Sequence, residues 1–108
     1  MDGTEIRVDF ERLPWVDEAA GLRTKTLARA GQRARLLELG EGFLEVDWCT
    51  RRHAFHVLEG RCSLETRDGT VALEQGTIGL ISGGDSHAHR LVLGPGQGAL
   101  LLVFDEAG

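Results

Sequence analysis

The stretch His53-Ala-Phe-His-Val-Leu-Glu-Gly60, continued by Arg61-Cys-Ser-Leu-Glu-Thr66, decides the fold class of this chain. Both parts have the length and apolar pattern of short β-strands. A glycine turn follows each of them, Glu59-Gly60 after the first and Arg67-Asp-Gly-Thr70 after the second. Asp-Gly between two apolar segments is a strong signal for a tight turn. The stretch therefore predicts two short strands, Ala54–Leu58 and Arg61–Thr66.

The same alternation of short segments and glycine turns extends outward along the rest of the sequence. Glycine supplies 15 of the 108 residues, roughly twice its usual share, and the glycines are scattered rather than periodic. The segment Trp15–Ala20, between Pro14 and Gly21, is either one helical turn or a loop. The other segments with strand character are Ile6–Phe10, Leu22–Ala30, Arg33–Leu39, Phe43–Trp48, Val71–Leu73, Thr77–Ile81, His87–Leu93 and Ala99–Phe104. The second and third of these are separated by Ala30-Gly31-Gln32, which predicts a hairpin.

About ten short strands with turns at this spacing predict an all-β fold with little or no helix. A single jelly-roll barrel fits this length, and an immunoglobulin-like sandwich is the alternative. We predict one domain over residues 1–108. Its core barrel would cover about 22–104, preceded by an N-terminal strand and loop over 1–21.

Composition and charge narrow the classes of partner. Hydrophobic residues make up 42% of the chain and charged residues 27%, as in an ordinary globular domain. The net charge of −5 argues against nucleic acid as a partner. No apolar run is long enough to span a membrane, and the first residues lack the apolar core of a signal peptide. The expected location is the cytoplasm, where Cys49 and Cys62 stay reduced.

A basic stretch precedes the central strands. Most of its members alternate with apolar or small residues, the pattern of the solvent face of a strand. We therefore predict that these side chains point to solvent: Arg23, Lys25, Arg29, Arg33 and Arg35.

The histidines are the residues most informative about chemistry, since they form two close pairs on separate predicted strands. Side chains alternate along a strand, so His87 and His89 share a face. Asp47 and Cys49 can share a face with His53 if the loop between them keeps register. Because the inner faces of a barrel converge, these side chains can meet in its interior.

Other candidate residues have a structural interpretation. His56 has the opposite parity to His53 and is expected to face outward. Cys62 lies outside the predicted site and is expected to be a buried structural thiol. Phe55 shares the parity of His53, so it belongs to the core or lines the pocket.

Two stretches resemble the paired sequence motifs of the cupin family. His53–Gly60 is similar to the Val-Leu-Glu-Gly strand that ends the first motif. The stretch Gly76-Thr-Ile-Gly-Leu-Ile-Ser-Gly-Gly-Asp-Ser-His87 is similar to the second motif, although Ser82 replaces its proline and Leu91 its asparagine. The resemblance covers Gly40 to about Leu93, and it implies the cupin jelly roll.

The resemblance also implies a metal site in the barrel. Where the family has His-x-His-x3-Glu, this chain has the variant Asp47-x-Cys49-x3-His53, similar to small cupins with a Trp-Cys-x3-His pattern. The fourth ligand position falls on His87, which matches the family. A thiolate among the ligands favours zinc or iron, with nickel or manganese as alternatives, over magnesium or calcium.

Two kinds of metal site are compatible with these candidate ligands. With Asp47, Cys49, His53 and His87 all bound, the site resembles a closed structural zinc site. With Asp47 outside, the other three residues leave a position for water or substrate, as in catalytic sites. His89 is the candidate for an acid or base, or for a residue that orients substrate.

The resulting functional prediction is a small metal-binding cupin that acts on or binds a small polar organic molecule in the barrel interior. Three classes stay open: a metal-dependent isomerase, lyase or dioxygenase; a non-catalytic ligand-binding or sensing module; and a metal-free structural cupin. We also expect a homodimer, because exposed edge strands need covering. Glu5–Phe10 and Ala99–Phe104 are the segments predicted to pair across its two-fold axis.

Overall fold

The strands of this protein form one antiparallel sheet that curls into half a barrel. The computed structural model describes residues 6–106, and the bounds below refer to that part of the chain. The eight strands are β1 (Val16–Ala19), β2 (Leu22–Arg29), β3 (Gln32–Leu39), β4 (His53–Thr66), β5 (Gly69–Glu74), β6 (Ile78–Ile81), β7 (His89–Val92) and β8 (Gly98–Glu106). Two single-turn 3-10 helices, Phe10–Arg12 and Asp85–His87, are the helical elements. The all-β prediction is confirmed.

The strand order is β1-β2-β3-β8-β4-β5, and β6 and β7 also pair with β4. Strand β4 is long enough to pair with different strands along its first and second halves. Its first half pairs with β6 and β8, and its second half pairs with β5 and β7. β4 therefore brings the residues near His53 into line with the far end of β8.

The predicted break at Glu59-Gly60 is a bulge inside β4 rather than a turn between two strands. The pairing of β4 with β8 shifts register between Val57 and Glu59. Gly60 has a positive φ of 74°, and a β-carbon there would collide with the backbone of Gly98. Only glycine meets both requirements without strain, so the strand bends here and continues.

The β2–β3 hairpin follows the prediction closely. Its two turn residues, Ala30 and Gly31, both have positive φ, 53° and 78°. Two positive φ angles define the type I′ turn, whose twist matches that of the flanking strands. The predicted hairpin is confirmed, with the loop between Arg29 and Gln32.

Three predicted segments differ in the structure. Trp15–Ala20 is neither helix nor loop, since Val16–Ala19 pairs with β2 as an edge strand. Residues 7–9 lie outside any strand, so the predicted strand Ile6–Phe10 is wrong. Phe43–Trp48 also forms no strand and lies in the loop between β3 and β4. All of its residues line the cavity inside the sheet.

The predicted dimer contact through strand edges is not available in this fold. β8, which contains Ala99–Phe104, is hydrogen-bonded to β3 on one side and to β4 on the other. Both of its edges are occupied, so it cannot pair with a second chain. Glu5, the start of the other predicted pairing segment, lies outside the described residues.

The core lies on the inner face of the sheet. Val57, Leu101 and Val103 are buried side by side between β4 and β8. Cys62 belongs to the same cluster, and burial raises the pKa of its thiol to about 11. It is the structural thiol that the sequence predicted. In the part of the chain that the structure describes, no helix has the length and apolar character needed to cross a membrane.

Candidate metal centre

Three side chains bring metal-ligand atoms together on the inner face of the sheet. The thiol of Cys49 and ring nitrogens of His53 and His89 all lie within 4.8 Å of one another. The Cys49 Sγ is 3.1 Å from the His53 Nε2. The two imidazoles meet edge to face, with ring centroids 5.2 Å apart. A tetrahedral zinc ion with ordinary bond lengths separates its sulfur and nitrogen ligands by roughly 3.5 Å, so this grouping suits one ion.

Backbone hydrogen bonds hold Cys49 next to His89. The amide of Cys49 donates to the carbonyl of His89 at 2.8 Å, and the amide of His89 donates to the carbonyl of Cys49 at 3.0 Å. Residues that exchange both bonds are a directly opposed antiparallel pair, and their side chains emerge on the same face. The loop residue Cys49 is thereby aligned with the first residue of β7.

The loop that contains Cys49 is anchored at further points. The ring of Trp48 lies between the guanidinium groups of Arg67 and Arg90, 4.5 Å from each. Upstream, Glu45 accepts a hydrogen bond of 2.8 Å from the amide of Leu91. Cation–π contacts and a charge-assisted hydrogen bond each contribute on the order of 1 kcal/mol. The position of Cys49 is therefore defined although it lies in a loop.

Each imidazole has one nitrogen directed to the cluster and one to a supporting oxygen. The Nδ1 of His89 is 3.0 Å from the carbonyl oxygen of His87. That nitrogen is the donor, which leaves Nε2 available to bind a metal ion. The Nδ1 of His53 lies 3.3 Å from the Oδ2 of Asp105 but makes no hydrogen bond of good geometry within the described residues. The carboxylate therefore lies behind the ring, where it can support a metal ligand, without a formed hydrogen bond.

Asp105 is a fully buried carboxylate, with 1% of its side chain exposed. Arg33 binds both of its oxygens, through Nε at 2.7 Å and Nη2 at 2.5 Å. This bidentate pair, helped by Arg35, holds the pKa of Asp105 below its usual value. Asp105 is therefore ionised beside His53. A carboxylate behind a ligating imidazole fixes its tautomer and strengthens it as a ligand.

Burial keeps His53 neutral. It lowers the pKa of the imidazole from 6.5 to about 4, and the neighbouring His89 lowers it further, while Asp105 acts in the opposite direction. Neutral imidazole is the form that binds a metal ion, so His53 needs no deprotonation near pH 7.

The metal-free protein is expected to lose stability as the pH falls from about 6.5 to about 4. In this window His53 takes up a proton in the unfolded chain but not in the folded one. The unfolded state then binds more protons, so the free energy of unfolding falls, by at most about 3 kcal/mol for this residue. Urea unfolding of chelator-treated protein at pH 7 and pH 4.5 measures the loss.

His53→Gln should remove this pH dependence, and His56→Gln, on the outer face of β4, is the matched control. The pKa of Glu45 is raised by burial and acts with the opposite sign. It is present in all the variants, so it cancels in the comparison. Equal pH dependence in His53→Gln and the wild type would contradict the assignment.

The structure brings together some of the predicted site residues and separates others. Cys49 and His53 meet as predicted. His89 joins them, whereas His87 is exposed and supplies only its backbone carbonyl. Asp85–His87 forms a 3-10 turn, so the strand alternation that was expected to align His87 with His89 begins only at His89. Asp47 is exposed and contributes no atom to the cluster.

Sequence reasoning missed the arginines and the carboxylate behind the cluster. Lys25 was predicted to point to solvent, but it is buried and donates a hydrogen bond to the carbonyl of Phe10 at 2.7 Å. Arg33 and Arg35 were also predicted on a solvent face, and this is wrong, because both point into the barrel. A signal was present: they share the parity of Leu37 and Leu39, which are core residues. No local pattern marks Asp105, which lies at the opposite end of the chain and reaches Arg33 through the pairing of β3 with β8.

The cluster opens into a cavity of about 700 Å³ inside the curled sheet. Apolar side chains such as Phe55, Leu64 and Leu101 line much of it. Charged residues line the remainder, namely Glu18, Arg33, Arg35, Glu45, Asp47 and Arg51. A cavity of this size with a few converging polar groups suits a small organic molecule.

No protein-family model matches the chain, and no curated protein matches it. Several solved structures are similar to the chain. The polyketide cyclase RemF from Streptomyces resistomycificus is 21% identical with a TM-score of 0.75, over 94% of this chain and 79% of that one. An RmlC-like cupin from Shewanella frigidimarina is 16% identical with a TM-score of 0.75, over 94% and 89%. Fe(II)-HppE, solved with the alternative substrate (S)-1-HPP, is 11% identical with a TM-score of 0.66, over 91% and 58%.

Proposed function

The chain is a cupin by fold, and from that premise we propose that it binds one divalent transition-metal ion through Cys49, His53 and His89. The metal would act, with the surrounding cavity, on a small polar organic molecule. The observation that carries this proposal is the grouping of the three ligand atoms within 4.8 Å on the inner face. His89 takes the ligand position that the sequence motif assigned to His87.

Three protein ligands and a cavity make an open site. A metal held in this way has a position for water or substrate, and it can activate the water or polarise a bound oxygen. One thiolate and two imidazoles suit zinc or iron(II), ahead of nickel or manganese. The likeness to Fe(II)-HppE supports iron as a candidate. We therefore favour a metal-dependent isomerase, lyase or dioxygenase over a sensing module.

The residues behind the ligands have defined roles in this proposal. Asp105 orients His53 and keeps its Nε2 directed at the metal. The carbonyl of His87 does the same for His89. Burying the ion pair between Arg33 and Asp105 costs desolvation free energy. A role in stability alone therefore explains this pair poorly. Its position behind a ligand favours a metal site over a metal-free structural cupin.

Metal analysis of protein purified without chelator tests the proposal. We expect about one zinc or iron ion per chain, since one chain supplies all three protein ligands of the proposed site. Oxygen uptake by the iron(II)-loaded protein, with small acids, thiols and sugars as substrates, then separates a dioxygenase from the other classes. Protein that is metal-free as purified and takes up neither zinc nor iron in titration would rule out the proposal.

We also propose that two copies associate through the outer face of the sheet. A row of opposed residues crosses three strands there, Leu80 on β6, Ala54 on β4 and Phe104 on β8. Leu80 and Phe104 are exposed, at 85% and 47%. Ile78 and Leu102 extend the row on either side of His56, and an apolar patch of this kind is typical of a contact surface. A second copy of the chain would cover this apolar row.

Sedimentation velocity at tens of micromolar protein is expected to give a dimer, and Leu80→Glu a monomer, because a buried unpaired charge opposes association. Val16→Glu, at an exposed apolar residue on β1 at the other end of the strand order, is the control. Monomeric wild-type protein at that concentration would count against the dimer.

The same proposal places the protein in a reducing compartment, the cytoplasm. Both cysteines are free in the structure, and a thiolate ligand needs to escape disulfide formation. The net charge of −5 gives no reason to add nucleic acid to its partners.

A further inference from the structure

Arg35 is a charged side chain in the cavity that the metal centre does not use. It lies on β3 between Arg33 and Leu37, with which it shares the inner face. Only a quarter of its side chain is exposed. Its Nε is buried and has no hydrogen-bond partner within the described residues. A buried donor without an acceptor costs free energy, so it marks a place where an acceptor is missing.

The nearest carboxylate does not supply that acceptor. Asp105 is bound through both oxygens by Arg33, at 2.7 and 2.5 Å. Arg35 reaches only one of these oxygens, through Nη2 at 3.5 Å. The same oxygen also faces His53, at 3.3 Å. Two guanidinium groups thus share one carboxylate, and Arg35 holds it only through the longer contact, with its Nε unpaired.

We propose that Arg35 binds a carboxylate group of the small molecule that occupies this cavity. The guanidinium can present Nε and one terminal nitrogen as a fork to both oxygens of a carboxylate. Arg35 and the ligand His53 contact the same oxygen of Asp105, so the bound acid would lie beside the metal centre. The inference rests on the proposed function, because it names the class of molecule that the metal-bearing cavity takes.

The charges of the cavity favour a monoanion over a phosphate. Glu18 and Glu45 line the same cavity as Arg35, and they would repel a dianion. Glu18 is held by a hydrogen bond of 2.5 Å with Thr24, and Glu45 by the amide of Leu91. Arg33 is fully engaged by Asp105. The Nε of Arg35 is then the unpaired guanidinium donor to which a single carboxylate of the ligand can bind.

Binding of simple acids and their amides tests the proposal. The probes are propionate and benzoate, with propionamide and benzamide as uncharged analogues of the same shape. Calorimetric titration is done on zinc-loaded protein and on chelator-treated protein. We expect the acids to bind at least about tenfold more tightly than the amides in both forms, because only the acids pair with the guanidinium.

Arg35→Met should remove this preference, and Arg35→Lys should reduce it by keeping the charge without the fork. Arg23→Gln is the control, since Arg23 is a more exposed arginine paired with Glu38 on the neighbouring strand. Arg35→Met should also keep or raise the Tm of ligand-free protein, because it removes a partly buried charge whose Nε has no acceptor and whose contact with Asp105 is long. A merely structural Arg35 would give a lower Tm.

The outcomes separate this proposal from the metal site. An acid preference that survives in Arg35→Met, or amides that bind as well as acids to the wild type, overturns the role of Arg35. Absence of zinc binding together with an Arg35-dependent acid preference overturns the metal centre alone. Zinc binding that is unchanged in Arg35→Met, with the acid preference lost, supports both.

Discussion

Cys49→Ser is expected to weaken zinc binding by about a hundredfold or more, the largest effect of any single substitution in this chain. The thiolate is the strongest ligand of the cluster, and the serine hydroxyl keeps its proton near neutral pH. The Cys49 side chain is half-buried, and its Sγ contacts the Nε2 of His53. The fold should therefore survive the change. Competition with a chromophoric chelator measures the affinity, and far-UV circular dichroism checks the fold.

Cys62→Ser is the matched control for this substitution. Cys62 is a thiol in the core with 1% exposure, and it lies outside the cluster. The variant should bind zinc as the wild type does, while its free energy of unfolding falls by about 1–3 kcal/mol for a buried hydroxyl. Equal zinc affinity in Cys49→Ser and Cys62→Ser would refute the thiolate ligand.

His89→Ala is expected to have the second largest effect, again about a hundredfold in zinc affinity. Alanine removes the Nε2 that faces the cluster but keeps the backbone pair with Cys49. His87→Ala should change the affinity by less than about threefold, because His87 contributes its carbonyl oxygen, which alanine retains. The comparison decides between the ligand that the sequence motif implies and the one that the geometry groups with Cys49.

His56→Ala serves as the reference for nonspecific effects, since its side chain lies on the outer face of β4. It should bind zinc like the wild type. A loss in His87→Ala as large as that in His89→Ala would mean that the 3-10 turn over Asp85–His87 rearranges to bring His87 into the site. The ligand set would then have to be rebuilt around His87.

Most of the fold could be predicted because it rests on local signals. Alternation and turn residues identified the β2–β3 hairpin, and the glycine after Thr66 marked the turn into β5. The errors arose where one local sequence signal is compatible with two different structures. Glu59-Gly60 suits a turn or a bulge, and the long-range pairing with β8 selects the bulge. The segment after Pro14 has no strong preference, and pairing with β2 makes it a strand.

The candidate site was predictable only in part, for a related reason. Spacing predicted that Cys49 and His53 would lie near each other, since only three residues stand between them in one stretch. The choice between His87 and His89 depends on where β7 begins, and element boundaries are poorly encoded in sequence. Asp105 and Arg35 enter the site through tertiary pairing, which brings together residues far apart in the chain.

X-ray absorption at the zinc edge of the zinc-loaded protein tests the metal centre most directly. We predict one sulfur neighbour at about 2.3 Å and two imidazole nitrogens at about 2.0–2.1 Å, with a remaining light-atom ligand from solvent. The sulfur neighbour should disappear in Cys49→Ser, and one imidazole should disappear in His89→Ala but not in His87→Ala. A wild-type spectrum with only oxygen and nitrogen neighbours, or one unchanged in Cys49→Ser, would contradict the site.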